Sequence, residues 1–326
     1  MRGIFEAKER PLTDPVLVHV TSADSAFELL DLSDAQRRLM AALVEHHWPG
    51  PLTLIAKASD AVPPIVTAGT GSVGVRCPSH PIARRLIDAA GVPVAAPSAN
   101  RFGHVSPTEA EHVAGDLGSK DVMILDGGAC EFGIESTVVR LERSEEGELV
   151  FLRRGAVTES AVLASLAAAG LGHVRLVHAQ KKAHVADGAQ VAPGQLITHY
   201  APDVPAYMHV AQANEADRDG RTDAKDTVCI DFGGVLRASA PTFLAYRDLS
   251  ETGRGQEAAA GVYAALRWGE LIADAKAILL PNLDSVAAAQ PEQTDTLLAV
   301  HDRLFRASSG RTATFSADFI DMFNHS

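Results

Sequence analysis

Short hydrophobic runs alternate with longer amphipathic segments over residues 1–175. The short runs are rich in valine, isoleucine and leucine, which is typical of buried strands, and the longer segments repeat apolar positions with the period of a helix. This alternation predicts an α/β (α+β) layered domain. The predicted strands are 16–20, 52–58, 71–78, 92–99, 121–128, 136–142 and 148–155, and the predicted helices are 34–48, 80–91, 106–118 and 158–170.

The pattern changes after residue 175. Residues 176–202 are polar and then rich in proline, glycine and aromatic residues, so the sequence predicts a linker there. Residues 203–326 return to alternating apolar runs and an alanine-rich helical stretch, which predicts a smaller C-terminal α/β domain. Its predicted strands are 206–210, 227–233 and 276–281, and its predicted helices are 255–275 and 296–310.

Charge and composition exclude several classes of protein. The net charge of −12 argues against a protein that coats nucleic acid, because such proteins bind phosphates through basic surfaces. No apolar run approaches the roughly 18–20 residues of a membrane span, and the N-terminal residues lack the apolar core of a signal peptide. The three cysteines lie far apart and no zinc-type ligand spacing occurs. We therefore expect a cytoplasmic protein with no membrane segment and no metal centre of its own.

Two common nucleotide-binding motifs are excluded. The segment GTGSVG (69–74) has the spacing G-x-G-x-x-G, but it is followed by a predicted strand and not by the helix that a dinucleotide fold requires. The chain also contains no G-x-x-x-x-G-K-[ST] phosphate loop. Any nucleotide must be held by other means.

A basic pair near the start of the chain is a candidate phosphate site. Lys8 and Arg10 are two residues apart, and Pro11 favours an extended conformation at Arg10, so we expect both side chains on one extended face. An ammonium beside a planar guanidinium suits a polyphosphate. Taken alone, this pattern is more typical of a solvated surface.

Further candidates lie at strand ends. Ser98 and Asn100 follow the hydrophobic run at 92–99, where α/β sheets commonly bind ligands, although a capping turn explains them equally well. Arg76 lies inside an apolar strand, where its charge requires an internal acid or a bound anion.

Three other residues belong to the same group of candidates. Ser136 lies at a loop–strand junction, and Arg153 precedes a turn at Gly155. His19 lies within the apolar run VLVHV, and its position fits a core histidine as well as a ligand contact. The sequence pattern alone leaves these alternatives open.

In this order, the motifs resemble the YrdC-like threonylcarbamoyl-AMP synthases in their long, two-domain form. The resemblance covers nearly the whole chain, and the combination is more specific than any single motif. It rests on KERPLTDPVLVHV (8–20), WPGPLTLI (48–55), VGVRCPSHPIA (73–83), VPVAAPSANRFGHVSPT (92–108), ILDGGACEFGIESTVV (124–139), LRRGAV (152–157) and APGQLITHYAP (192–202).

The resemblance implies a fold and a reaction. The implied fold is a twisted mixed sheet with helices around a concave cavity, and that cavity is also associated with double-stranded RNA. The implied reaction joins L-threonine, bicarbonate and ATP into threonylcarbamoyl-AMP and releases pyrophosphate, with Mg²⁺ arriving with ATP. The product serves the threonylcarbamoyladenosine modification of tRNA, so RNA or the tRNA-modification machinery are the implied macromolecular partners.

The resemblance also implies residue roles. Lys8 and Arg10 map onto the catalytic pair. The linker residues His199 and Tyr200 map onto a motif that we expect to close over the cavity as a lid. The implied ATP-binding residues are Lys8, Arg10, Arg76, Ser98, Asn100, Ser136 and Arg153, and the implied threonine-binding residues are Arg10, His19 and Ser136.

One departure from the family pattern supports a second hypothesis. Family members carry a P-T-E-T-x-Y-G-L motif before the K-x-R motif, and the sequence upstream of Lys8 does not contain it. We therefore expect an N-terminally incomplete catalytic domain at 1–175. The alternative function is a non-catalytic relative that binds nucleotide or double-stranded RNA.

Overall fold

The chain forms two compact units, and each contains one β-sheet. Unit 1 consists of Met1–Phe102 and Glu135–Gln195, and unit 2 consists of Gly103–Ile134 and Leu196–Ser326. Unit 2 is therefore built from two separate stretches of the chain. The computed structural model describes residues 1–144, 147–179, 199–210 and 223–314.

The described residues form twelve strands and ten α-helices. The strands are β1 Val18–His19, β2 Leu52–Lys57, β3 Ser72–Arg76, β4 Val94–Ala95, β5 Thr137–Glu142, β6 Glu148–Arg153, β7 Arg175–His178, β8 Ala206–His209, β9 Thr227–Asp231, β10 Ala245–Asp248, β11 Ala277–Leu280 and β12 Thr312–Ala313. The helices are α1 Arg2–Lys8, α2 Ala23–Glu28, α3 Asp34–His47, α4 Pro64–Thr67, α5 Pro81–Ala90, α6 Ala110–Leu117, α7 Glu159–Ala168, α8 Gly255–Glu270, α9 Asp284–Ala289 and α10 Thr294–Ala307.

The sheet of unit 1 is mixed, with strand order β4-β1-β3-β2-β5-β6-β7. Its two faces differ because side chains alternate along each strand. One face carries Leu54, Val75, Val139 and Phe151, which are buried in the main core of the unit. The other face carries polar side chains at the strand ends. The alternation therefore separates the packing surface from a surface that is available for chemistry.

Helix α3 begins and packs as its sequence dictates. Ser33 accepts a hydrogen bond from the Gln36 amide, and the Gln36 side chain accepts one from the Ser33 amide, which forms a capping box. Leu39 and Leu43 lie on one face of the helix and are buried in the core. Each such leucine contributes about 1.5–3 kcal/mol to stability when fully buried.

The sheet of unit 2 is entirely parallel, with strand order β10-β9-β11-β8-β12. Its central strands β9 and β11 are buried along their length, as expected of parallel strands that are covered on both faces. Helices α8 and α10 supply Val262, Leu266 and Leu297 to the core that surrounds these strands.

The structure confirms the predicted fold class, an α/β protein with a twisted mixed sheet and a second, parallel sheet. The predicted concave cavity and the predicted domain limits stay predictions. Within the described part of the chain, no helix combines the length and the apolar character that a membrane crossing requires.

Several predicted elements differ from the structure. The strand predicted at 16–20 is reduced to β1, and the helix predicted at 255–275 ends at Glu270. Residues 121–128 form no strand: Met123 and Leu125 are exposed, and a strand requires a hydrogen-bonded neighbour. The strand predicted at 92–99 is reduced to β4. Helix α6 begins later than predicted because Glu109 takes an extended conformation (φ −144°) and becomes the N-cap residue in place of Ser106.

Candidate active site in unit 1

One end of the unit 1 sheet brings predicted site residues together. There β1, β3 and β6 end, whereas β2 and β5 begin. The register places His19 beside Arg76, Thr53 beside Val138 and Val138 beside Arg153. Side chains of directly paired residues point to the same face of a sheet, so the register alone gathers polar groups on the face opposite the main core.

Arg153 is held by the loop before β5. Its Nε and one terminal nitrogen donate to the Ser136 carbonyl oxygen at 3.2 and 3.0 Å, and the same terminal nitrogen donates to Ser136 Oγ at 3.2 Å. Ser136 Oγ also lies 2.7 Å from Thr53 Oγ1. Ser136 and Thr53 are buried, so the guanidinium has one fixed direction. Thr53 lies in the WPGPLTLI motif, but no role was predicted for it from the sequence.

Gly155 allows this loop to approach β6 closely. A Cβ atom at position 155 would lie 2.4 Å from Glu135 O and Thr137 N, and 2.5 Å from Ser136 C. These are backbone atoms, so they cannot move aside as a flexible side chain can.

We expect Gly155→Ala to displace the Ser136 loop and to lower the free energy of unfolding by at least about 2 kcal/mol. Hydrogen exchange should show faster exchange at the Thr137 amide, which donates to Pro51 O at 2.9 Å. Gly172→Ala is the control, because its Cβ would meet its nearest neighbour at 3.9 Å. Equal effects of the two substitutions would contradict the prediction.

His19 and Arg76 form a second pair at the same sheet end. Arg76 donates to His19 Nε2 at 3.1 Å, so the other ring nitrogen, Nδ1, donates to Val94 O at 3.3 Å. Burial, and then the charge of Arg76, lower the pKa of His19 to about 4. His19 is therefore neutral at physiological pH. It orients Arg76 without adding a positive charge.

Lys8 lies at the last residue of α1. Glu9 follows with φ 56°, a left-handed conformation that ends the helix. The predicted extended face for Lys8 and Arg10 is therefore wrong, because the chain turns between the two residues. Lys8 is buried, and its ammonium donates to the Asn100 carbonyl oxygen and lies 3.5 Å from Asn100 Oδ1.

Arg10 is enclosed by acceptors from the residues that follow it. It donates to Asp14 O at 3.3 Å and to Pro15 O at 2.7 Å, and it forms a 3.0 Å ion pair with Asp14 Oδ2. The Phe102 ring lies 5.9 Å from the guanidinium carbon. Sequence reasoning missed Asp14. Its available signal was a carboxylate four residues after the arginine, between Pro11 and Pro15.

Asp14 connects these pairs electrostatically. Burial raises the pKa of its carboxyl group to about 6, against the opposing effects of the charges on Arg10, Lys8 and Arg153. Three of the predicted cations are thus close enough to act on one carboxylate. Ser98, by contrast, is exposed two residues before Asn100.

The predicted linker residues belong to unit 2. Tyr200 is buried in the unit 2 core with φ 61°, and its ring centroid lies 4.1 Å from that of His199 and 5.2 Å from that of Tyr263. The packing of the Tyr200 ring therefore holds the neighbouring residues against the core of unit 2. The segment that precedes His199 lies outside the described residues, and the lid role stays a prediction.

Unit 2 contains a buried charge cluster. His104 Nδ1 lies 2.8 Å from Asp116 Oδ1, and His104 Nε2 lies 3.0 Å from Glu270 Oε2. Arg267 donates to Asp116 Oδ2 at 2.9 Å. Among the described residues, His104, Glu270 and Asp203 are the group with enough neighbouring ligand atoms, all within 4.8 Å, to hold a metal ion. All three residues of this group belong to unit 2.

Comparisons with known proteins show which family has this two-unit architecture. A family model described as "Telomere recombination" matches residues 1–155, and a model described as "Threonylcarbamoyl-AMP synthase, C-terminal domain" matches residues 159–309. Threonylcarbamoyl-AMP synthase of Bacillus subtilis is 34% identical over 321 residues, which cover 95% of this chain and 84% of the relative. That of Pyrococcus abyssi is 38% identical over 202 residues, or 62% of this chain and 56% of the relative.

A solved structure agrees with these sequence comparisons. Pyrococcus abyssi Sua5 complexed with L-threonine matches with a TM-score of 0.77 and 30% identity, over 97% of this chain and 86% of that chain. Fold and sequence together define a two-domain α/β protein with the YrdC-like arrangement in its first half. The chain belongs to the threonylcarbamoyl-AMP synthase family.

Proposed function

We propose that this protein is an L-threonylcarbamoyladenylate synthase that acts in the cytoplasm. Full-length similarity to a threonylcarbamoyl-AMP synthase carries the proposal, at 34% identity over 95% of the chain. The unit 1 site supports it, because fixed cations and hydroxyl groups meet there at one sheet end. The proposed substrates are L-threonine, bicarbonate and ATP, and the product serves tRNA modification.

The proposed reaction has two steps. The neutral threonine amine attacks the bicarbonate carbon. As the N–C bond forms, a C–O bond breaks, and the departing hydroxide takes a proton from the nitrogen and leaves as water, which gives a carbamate. A carbamate oxygen then attacks the α-phosphorus of ATP, and the bond to the β-phosphate oxygen breaks to release pyrophosphate. Negative charge accumulates on the phosphate oxygens in the second step, so preorganised cations lower its barrier.

The site residues fit roles in that chemistry. We assign Lys8, Arg10, Arg76 and Arg153 to the phosphate groups, because their directions are fixed by the contacts described above. Such fixed donors require little reorganisation in the transition state. The remaining nucleotide contacts in the proposal come from Ser98, Asn100 and Ser136.

Threonine and Mg²⁺ complete the proposed set of ligands. We assign threonine contacts to Arg10, His19 and Ser136, and the neutral ring of His19 suits a site that must not hold the amine in its charged form. Mg²⁺ enters with ATP as part of the substrate, bound mainly through phosphate oxygens. The proposal assigns no role in this step to the cluster around His104, which belongs to unit 2.

The test is pyrophosphate release by the full chain. We expect release that requires ATP, L-threonine and bicarbonate together, with threonylcarbamoyl-AMP identified by mass spectrometry. Lys8→Met should lower kcat/KM by about 100-fold, the effect of removing one preorganised donor. Lys57→Met is the control, because Lys57 is an exposed lysine paired with Asp31 on the same unit.

Other outcomes would contradict the proposal. Pyrophosphate release that is independent of threonine would indicate simple ATP cleavage. Nucleotide or duplex RNA binding without any turnover would favour the non-catalytic alternative.

A further inference from the structure

Asp14 is a buried carboxylate in the segment that follows Lys8 and Arg10, and no role was predicted for it from the sequence. Its side chain is 4% exposed, and so is that of its partner Arg10. One carboxylate oxygen, Oδ2, forms the 3.0 Å ion pair with Arg10, whereas Oδ1 is buried and finds no hydrogen-bond partner among the described residues. A buried carboxylate oxygen without a hydrogen-bond partner lowers the stability of the folded state, because its lost hydration is not replaced.

The cost in stability of burying the Asp14 carboxylate depends on pH. A carboxyl group whose pKa is raised from 3.8 to about 6 binds its proton more tightly in the folded state than in the unfolded state. The stability that its protonated form contributes is present below pH 3.8 and is lost as the pH rises through about 6. At neutral pH the ionised form of Asp14 therefore lowers the stability of the folded state. Packing alone does not explain why the chain has a carboxylate at this buried position.

The contacts of Arg10 explain why a carboxylate lies at position 14. The guanidinium is fixed by two backbone carbonyl groups and by the Asp14 carboxylate, and only the carboxylate can change its charge. The charged groups that act on Asp14 are Arg10, Lys8 and Arg153, which are all cations of the candidate site. Loss of the Asp14 charge would therefore weaken one of the three contacts that fix Arg10 and increase repulsion among the three cations.

We propose that Asp14 is a positioning residue, which sets the direction of the Arg10 guanidinium through its carboxylate charge and makes the competence of the site depend on that charge. The proposal rests on the proposed synthase function, since it concerns the same site. It requires no contact between Asp14 and a substrate.

Asp14→Asn is the decisive variant. Asparagine keeps the size of the side chain and a carbonyl acceptor for Arg10, and it removes the buried charge that opposes folding at neutral pH. We expect a folded variant whose kcat/KM for ATP is about 10-fold lower than wild type above pH 7, the effect of losing one charge-assisted hydrogen bond. Asp60→Asn, at an exposed carboxylate of the same unit, should have no effect.

The pH profile separates positioning from a merely structural role. ATP and bicarbonate also titrate near neutral pH, so the readout is the ratio of wild-type to variant kcat/KM at each pH. This ratio should fall from about 10 above pH 7 to about 1 below pH 5, with a midpoint near the Asp14 pKa of about 6. A ratio that is constant across this range would overturn the proposal.

A second measurement needs neither the variant nor activity. In the wild-type protein, the ¹³C resonance of the Asp14 carboxyl group and the Nε–Hε resonance of Arg10 should titrate together, with a midpoint near pH 6. Titration of Asp14 without a change at Arg10 would overturn the proposal. If wild type releases no pyrophosphate in a threonine-dependent manner, the synthase function fails, and the NMR result still decides whether the two residues are coupled.

Discussion

Asp116→Asn is expected to lower the free energy of unfolding of unit 2 by about 3–5 kcal/mol, because it removes the carboxylate charge that pairs with buried Arg267 and one of the two that pair with His104. Asp116 accepts hydrogen bonds from Arg267 and His104, and all three side chains are at most 6% exposed. Burial would raise the pKa of Asp116, but the hydrogen bonds from Arg267 and His104 outweigh it and lower the pKa. The cluster therefore favours the ionised form.

Fluorescence can follow this unfolding. The chain has two tryptophans, and only Trp268 lies in unit 2. In a Trp48→Phe background, the tryptophan fluorescence comes from unit 2 alone. Glu111→Gln, an exposed carboxylate on the same helix as Asp116, is the control and should change stability by less than about 0.5 kcal/mol. A similar shift in both variants would contradict the prediction.

The same experiment has an expected pH dependence. Burial alone would lower the pKa of His104, but hydrogen bonds to Glu270 and Asp116 outweigh it and raise the pKa. The stability from charged His104 is therefore fully present below pH 6.5 and is lost as the pH rises through the raised value. The difference between wild type and Asp116→Asn should accordingly be smaller at pH 9 than at pH 6.

Gly133→Ala is expected to destabilise unit 2 by at least about 3 kcal/mol, for two additive reasons. Gly133 has φ 70°, which costs a non-glycine residue about 1–2 kcal/mol. A Cβ atom there would also lie 2.3 Å from Ala259 O and 2.4 Å from Ala260 O, in the backbone of α8. The helix cannot yield without breaking its own hydrogen bonds.

Gly128 provides a matched control for this substitution. It lies in the same segment with φ 82°, but a Cβ atom there would meet nothing within 4 Å. Gly128→Ala should therefore show only the conformational cost, about 1–2 kcal/mol. The difference between the two variants, measured by Trp268 fluorescence, isolates the steric contribution. Equal losses of stability would show that Gly133 does not pack against α8 as described.

Sequence pattern predicted most of the elements because apolar periodicity reports burial directly. The strand predicted at 136–142 and the helix predicted at 34–48 agree with β5 and α3 to within one residue at each end. The pattern failed at 121–128, where an apolar run has no neighbouring strand among the described residues. Whether a hydrophobic run forms a strand depends on a hydrogen-bonded partner, which a local pattern cannot specify.

The candidate site was predicted as a set of residues but not as a geometry. Motif resemblance named Arg76, His19, Ser136 and Arg153, and the sheet register shows why they converge. Asp14 was missed because it matters only through its burial beside Arg10. A carboxylate near an arginine in sequence is usually a solvated pair, and only packing distinguishes the two cases.

The division of unit 2 between two stretches of chain has a consequence for protein synthesis. Residues 103–134 leave the ribosome early, but α8, against which Gly133 packs, is made only after residues 135–254. Val105 and Ile134, which are buried in the finished core, must therefore wait without these partners while residues 135–254 are made. A chain stopped after residue 179 would carry this segment without the core that Val105 and Ile134 pack against, so C-terminal truncation alone does not isolate unit 1.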